Sequence, residues 1–183
     1  MIQVLTLRNR QRVRRVNTPL LRRITLRLLG EFLRVPQFEL AIHLVATREM
    51  TRVNEQFLHH HGSTDVITFD YANDGFEAPV SGLRLNQIDG QLETRISKPG
   101  TGIHGELFVC VSDAVTQAKQ FRARWQSELV RYVIHGLLHL CGHEDLAPAA
   151  LRRMKREENR LMRRISHLFN LAELEARNSK PES

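Results

Sequence analysis

The sequence predicts an α+β fold: a single domain whose mixed, roughly four-stranded sheet is packed by about five helices, with a metal-binding helix in the C-terminal half. Three observations lead there. Segments with strand alternation come first and helical periodicity dominates afterwards, a pattern typical of one mixed sheet covered by helices. A length of 183 residues suits one domain large enough to bury a core. Finally, residues 129–141 read Leu-Val-Arg-Tyr-Val-Ile-His-Gly-Leu-Leu-His-Leu-Cys, an almost wholly apolar helix that carries two histidines four positions apart.

Each element has its own signal. Residues 2–8 alternate like a strand. Asn17-Thr18-Pro19 combines a cap with a proline in the first turn, and Leu20, Leu21, Ile24, Leu28 and Phe32 form the apolar stripe of the helix that follows. Residues 39–46 read as a strand, 47–58 as a helix, and 65–71 and 105–111 as strands. Helices are expected over 112–122 and 126–141, and a last one from about 148 to 169 with a basic outer face. The domain is placed at residues 1–172, and residues 173–183 are expected to form a disordered tail.

His135 and His139 share a helix face, so both imidazoles can reach one metal ion. Two imidazoles buried in an apolar helix without partners would be costly, which favours a ligand. Two candidates compete for the third position. His143 continues the spacing of four, but a straight helix would put it roughly 12 Å from His135, too far for one ion. The helix must therefore break, and Gly142 tolerates the positive φ such a break needs. After the break either His143 or Asp145 can fold back. Asp145 is favoured because two intervening residues give the turn room and carboxylate oxygen is an ordinary zinc ligand. His143 would then line the pocket, with Glu144 in solvent.

The segment from His135 to Asp145 resembles the YbeY family of bacterial single-domain endoribonucleases, whose signature is His-Gly-x-Leu-His-Leu-x-Gly-Tyr-Asp-His. Residues 135–142 match it, and the family's three zinc ligands fall by position on His135, His139 and Asp145, with Asp standing for the usual third His. The resemblance extends to Asn54, to Thr64-Asp65-Val66-Ile67-Thr68-Phe69, to His104-Gly105-Glu106-Leu107-Phe108-Val109, and to Met154 with Glu158. It covers most of residues 1–170. The arginine that the family carries four residues after its asparagine is Leu58 here, so no catalytic arginine is carried over. His59, His60 and His61 follow at once and read as a solvated loop. By the same resemblance, residues 72–103, with Gly75, Gly82, Gly90, Gly100, Gly102, Pro79 and Pro99, form an insertion or loop where the family has a shorter connection; it is either a plain surface excursion or a lid.

The net charge of +7 comes mostly from arginine, with 23 Arg against 4 Lys. Arginine clusters at 8–15, 22–27 and 152–164 fit a phosphate backbone better than a base-reading surface, since only 11 aromatic residues are present and no strand alternates aromatic with basic residues. No apolar run spans a membrane. Cys110 and Cys141 are expected as free thiols in a reducing cytoplasm. Gly136 stands where a zinc protease carries its general base, which argues against peptide hydrolysis. The general base is left open among His143, Glu144 and a substrate group. The resemblance implies an endoribonuclease with one Zn2+ ion, acting on ribosomal RNA and 30S particles in 16S 3′-end maturation and ribosome quality control. Ribosomal proteins or an assembly GTPase are the partners such a role implies. The competing reading is a non-catalytic ribosome assembly or RNA-binding factor with a structural metal.

Overall fold

Four segments, some alternating between buried and exposed side chains and others buried in short runs, form strands that assemble into one mixed sheet. The structure, a computed structural model, describes residues 2–71 and 102–176. Strands β1 (Gln3–Asn9), β2 (Phe38–Val45), β3 (Val66–Asp70) and β4 (Ile103–Cys110) lie in the order β1-β2-β4-β3. β1, β2 and β4 run parallel, whereas β3 pairs antiparallel with β4. The central strands β2 and β4 are buried along most of their length. β1 buries only Leu5, as suits an edge strand.

Five helices pack on this sheet: α1 (Thr18–Arg27), α2 (Thr47–Leu58), α3 (Val111–Gln120), α4 (Trp125–Leu140) and α5 (Pro148–Leu168). The sequence places α2 at the same bounds, and the four strands, α3, α4 and α5 within two residues. Asn17 caps α1 by accepting the Leu20 N–H at 3.1 Å, with Pro19 in the first turn. The apolar stripe of α1 does not continue smoothly to Phe32. Residues Leu28–Phe32 form one widened π-helical turn, in which the Leu33 N–H reaches back five residues to the Leu28 carbonyl at 2.9 Å. Phe32 is thereby left half-buried beneath the Arg164 guanidinium, 4.0 Å from its ring centroid.

The larger core lies on one face of the sheet. Leu40, Ile42, Leu44, Leu107 and Val109 pack there against Leu21, Ile24 and Leu28, against Leu129, Val133 and Leu137 of α4, and against Leu161 and Ile165 of α5. On the opposite face a smaller cluster joins Val45, Ile67, Phe69 and Cys110 to Met50 and Val53 of α2. Of the sixteen residues of α4, eleven are buried, so this helix is fixed to the sheet beneath it and to α3 and α5 beside it. Among the described residues, no helix is long and apolar enough to cross a membrane.

The ordered chain runs past the expected domain end at 172. Leu171–Leu174 form a 3-10 turn with Leu171 and Leu174 buried in the core. Glu175 then bridges to Val16, and the Ala176 N–H donates to the Arg15 carbonyl at 2.9 Å. Two apolar leucines after Asn170 anchor this segment, so residues 173–176, expected in a tail, belong to the fold. Residues 177–183 lie outside the described residues, as does the insertion expected at 72–103 up to residue 101; Ile103 already belongs to β4.

Candidate metal centre

α4 ends in a glycine-dependent reversal. Gly142 has φ +85°, a conformation that side chains with a Cβ adopt only at a cost. Its N–H donates to the His139 carbonyl at 2.8 Å, and the His143 N–H donates to the Leu138 carbonyl at 2.9 Å. These two bonds form a Schellman motif, which satisfies the terminal carbonyls and turns the chain back along the helix. The turn delivers Asp145 to the histidine face.

Nε2 of His135 and Nε2 of His139 lie 3.1 Å apart. Asp145 Oδ2 is 3.7 Å from the first and 3.8 Å from the second. A circle through three atoms so spaced has a radius of about 2.1 Å, the length of a zinc bond to nitrogen or carboxylate oxygen. His135, His139 and Asp145 are the one His/Cys/Asp/Glu group among the described residues whose atoms converge closely enough to hold a metal ion.

The far side of each imidazole supports the same reading. His135 Nδ1 lies 3.3 Å from Glu158 Oε2, and His139 Nδ1 lies 3.0 Å from the His143 carbonyl oxygen. When Nδ1–H donates to these acceptors, each Nε2 carries a free lone pair aimed at the point shared with Asp145. This is the usual outer arrangement of histidines that ligate metals. Glu158 also takes the Arg131 Nη1–H at 2.7 Å, so a carboxylate buried in α5 is neutralised from two sides. Burial is the largest single influence on its pKa and raises it, but the hydrogen bonds from His135 and Arg131 outweigh burial and leave it below the usual carboxylate value. For His135, burial is again the strongest influence and lowers the pKa. Glu158, Asp65 and Asp145 together overcome it, and the net direction is upward. His139 stays below its ordinary value because of burial and the neighbouring His135.

His135 and Asp145 border a cleft of about 580 Å³ between α3, α4 and α5, and His139 lies behind them. Its walls are rich in carboxylates: Asp65, Asp113 and Glu128 join Asp145 and Glu158. Two cations also line it. Arg131 is committed to Glu158 and also approaches Glu128 at 3.9 Å, whereas Lys155 forms no ion pair among the described residues. Asp65 is fixed at the start of β3, its Oδ1 accepting the Val66 N–H at 2.9 Å and the Thr64 hydroxyl at 3.1 Å.

Several sequence expectations change in detail. The ring of His143 does not line the cleft; it is half-buried beside Glu157 and Arg153 of α5, and its backbone carbonyl is what meets His139. His59, His60 and His61 are exposed, and none of them reaches the cleft. Gly136 has a packing role besides its lack of a carboxylate. A Cβ there would sit 2.8 Å from Leu107 Cδ2 and 3.2 Å from Val66 Cγ2, so α4 approaches the sheet closely at this point. Sequence reasoning reaches Glu158 and Asp65 only through the resemblance. Glu158 carried a signal of its own, an acid on the same helical stripe as Met154, Leu161 and Ile165. Asn54, buried in α2, donates to the Gly62 carbonyl at 2.8 Å and ties down the loop that leads to Ser63, Thr64 and Asp65.

The chain is similar to known proteins in both sequence and fold. Proteins named Endoribonuclease YbeY from Bacteroides thetaiotaomicron and Phocaeicola vulgatus are 32% and 31% identical to the chain over 124 and 128 residues. These alignments cover 68% and 70% of the chain and 72% and 74% of the relatives. A solution structure from Thermotoga maritima superimposes over the whole of both chains with a TM-score of 0.58 at 20% identity, a likeness of fold. A family model described as Endoribonuclease YbeY matches residues 6–166, a span that contains His135, His139, Asp145 and the Glu158 behind them, and the chain therefore belongs to that family.

Proposed function

We propose that the protein is a zinc-dependent endoribonuclease of the cytoplasm that acts on ribosomal RNA in 16S 3′-end maturation and ribosome quality control. The observation that carries this reading is the convergence of His135 Nε2, His139 Nε2 and Asp145 Oδ2 at the edge of an open cleft. Three protein donors leave a coordination position for water or substrate. A zinc ion bound there lowers the pKa of a water and polarises a phosphoryl oxygen.

The chain's own residues supply the rest. The Glu158 carboxylate and the His143 carbonyl hold both imidazoles in the tautomer that presents Nε2. Among the described residues Lys155 is the cleft cation without a carboxylate partner, and it positions a phosphodiester where five carboxylates would otherwise repel it. Asp65 Oδ1 is tied to Val66 and Thr64, so its second oxygen can hold the proton of an attacking water. Gly136 offers no carboxylate, which sets this centre apart from zinc proteases. The arginine excess provides the attraction to a polyanion. Such a substrate implies 30S particles as the site of action, with ribosomal proteins or an assembly GTPase in contact.

Leu58 favours a second reading, in which the protein is an RNA-binding assembly factor and another nuclease cuts. One experiment separates the two. Metal-replete protein is incubated with a precursor 16S 3′-end RNA beside His139→Ala and a chelated sample, all three checked for folding. Cleavage by the wild type alone supports the enzyme. RNA retention without cleavage, with zinc bound, supports the assembly factor.

A further inference from the structure

We propose that a second pocket, at the corner between α3 and α4 and away from the metal centre, is a phosphate subsite that holds the backbone of a single-stranded RNA. The inference rests on RNA being the substrate, but not on cleavage. The pocket has a volume of about 450 Å³, and its polar lining is Arg14, Lys119, Arg124, Gln126 and Glu175, with Trp125 beside them. The three cations come from separate parts of the chain: the loop after β1, the end of α3 and the residue that precedes α4. None of the three forms an ion pair among the described residues. The Nε of Arg14 is buried without a hydrogen-bond partner, a donor placed where an acceptor is missing.

The start of α4 adds to this field. Arg124 takes the cap position without a side-chain cap bond, and its carbonyl accepts the N–H groups of Ser127 and Glu128. The amides of Trp125 and Gln126 belong to the first turn and have no acceptor within the helix. The positive end of a sixteen-residue helix therefore opens beside three cationic side chains. One carboxylate opposes them. Glu175 accepts a hydrogen bond from Gln126 Nε2 at 3.4 Å, which leaves the pocket with a positive excess.

The position of Arg124 argues for a strand rather than a free ion. Residues 124, 128, 131, 135 and 139 are spaced four, three, four and four apart, which places them in one row along α4. Arg124 stands about 16 Å from His135 along that helix at the usual rise per residue. A strand seated at the metal centre and running up this row reaches the pocket.

Trp125 is the chain's one tryptophan and lines the pocket, so its emission reports occupancy directly. Full-length, metal-loaded protein is titrated with a 2′-O-methylated single-stranded oligonucleotide, and binding is followed by anisotropy and by Trp125 emission. The proposal expects a saturable emission change that tracks anisotropy. The double variant Lys119→Gln/Arg124→Gln is expected to lose that change and to flatten the slope of log affinity against log salt by about 1.4, roughly 0.7 per lost phosphate contact. Its zinc content and melting temperature should match the wild type, and Arg124→Lys should keep the slope. RNA binding that leaves Trp125 unaffected, or a double variant with the wild-type slope, would overturn the proposal. So would an emission response to inorganic phosphate with none to RNA. Loss of cleavage with the Trp125 response intact would instead count against the nuclease reading and leave the subsite standing.

Discussion

At the scale of single residues, Asp145 and His143 make the sharpest contrast. Both follow the break at Gly142, yet only the Asp145 side chain joins the two imidazole nitrogens, while His143 contributes its carbonyl. Asp145→Ala is therefore expected to lose zinc during dialysis, and His143→Ala to retain it, because removal of the ring leaves the backbone acceptor in place. Metal analysis after gel filtration checks this, and the reverse order would make His143 the ligand. Lys155→Gln is expected to lower kcat/KM about tenfold, or roughly 1.4 kcal/mol of transition-state binding, with zinc content unchanged. Steady-state cleavage kinetics read it, and Lys155→Arg should restore part of the loss. The thiols respond to burial in the opposite sense from a reactive cysteine. Burial raises the Cys110 thiol and pushes Cys141 up to about 11, so at pH 8 the thiolate fraction of both falls below that of a free cysteine. Ellman's reagent should react slowly with native protein at that pH and quickly once the chain is unfolded.

At the scale of elements, α4 organises both the core and the centre. Gly142→Ala must force a side chain into a positive-φ turn and should cost about 1 kcal/mol of stability while loosening zinc, since the turn places Asp145. Gly136→Val drives atoms into Leu107 and Val66 and should cost about 1–3 kcal/mol. Urea unfolding measures both. The two histidines, the break and the returning acid could be read from the sequence because helix periodicity and glycine's backbone freedom are local properties. Element order and bounds were legible for the same reason. The widened turn at Leu28–Phe32 was not, because nothing in the local pattern marks a five-residue step. Neither was the partnership of Glu158 with His135, 23 positions apart and brought together only when α5 packs on α4. The place of Leu174 in the core is not legible either, because its charged and polar neighbours from Glu173 onward mask a single leucine that the core takes in.

At the scale of the whole molecule, the sheet and α4 form a base packed by apolar side chains rather than by the three candidate ligands. Leu129, Val133 and Leu137 are fully buried beneath the centre, and Glu158 and the His143 carbonyl already hold both imidazoles. Chelation is accordingly expected to remove activity while leaving far-ultraviolet circular dichroism unchanged and the melting temperature only modestly lower; collapse of the fold would mark a structural metal. The measurement that tests the central claim most directly is reconstitution of metal-free protein with zinc, with RNA cleavage and bound zinc recorded in the same samples. The account expects activity to rise in proportion to bound zinc and to saturate at one ion per chain in the wild type, with His135→Ala, His139→Ala and Asp145→Ala failing to follow. Cleavage that is already full before zinc is added, or that rises equally in those three variants, would contradict it.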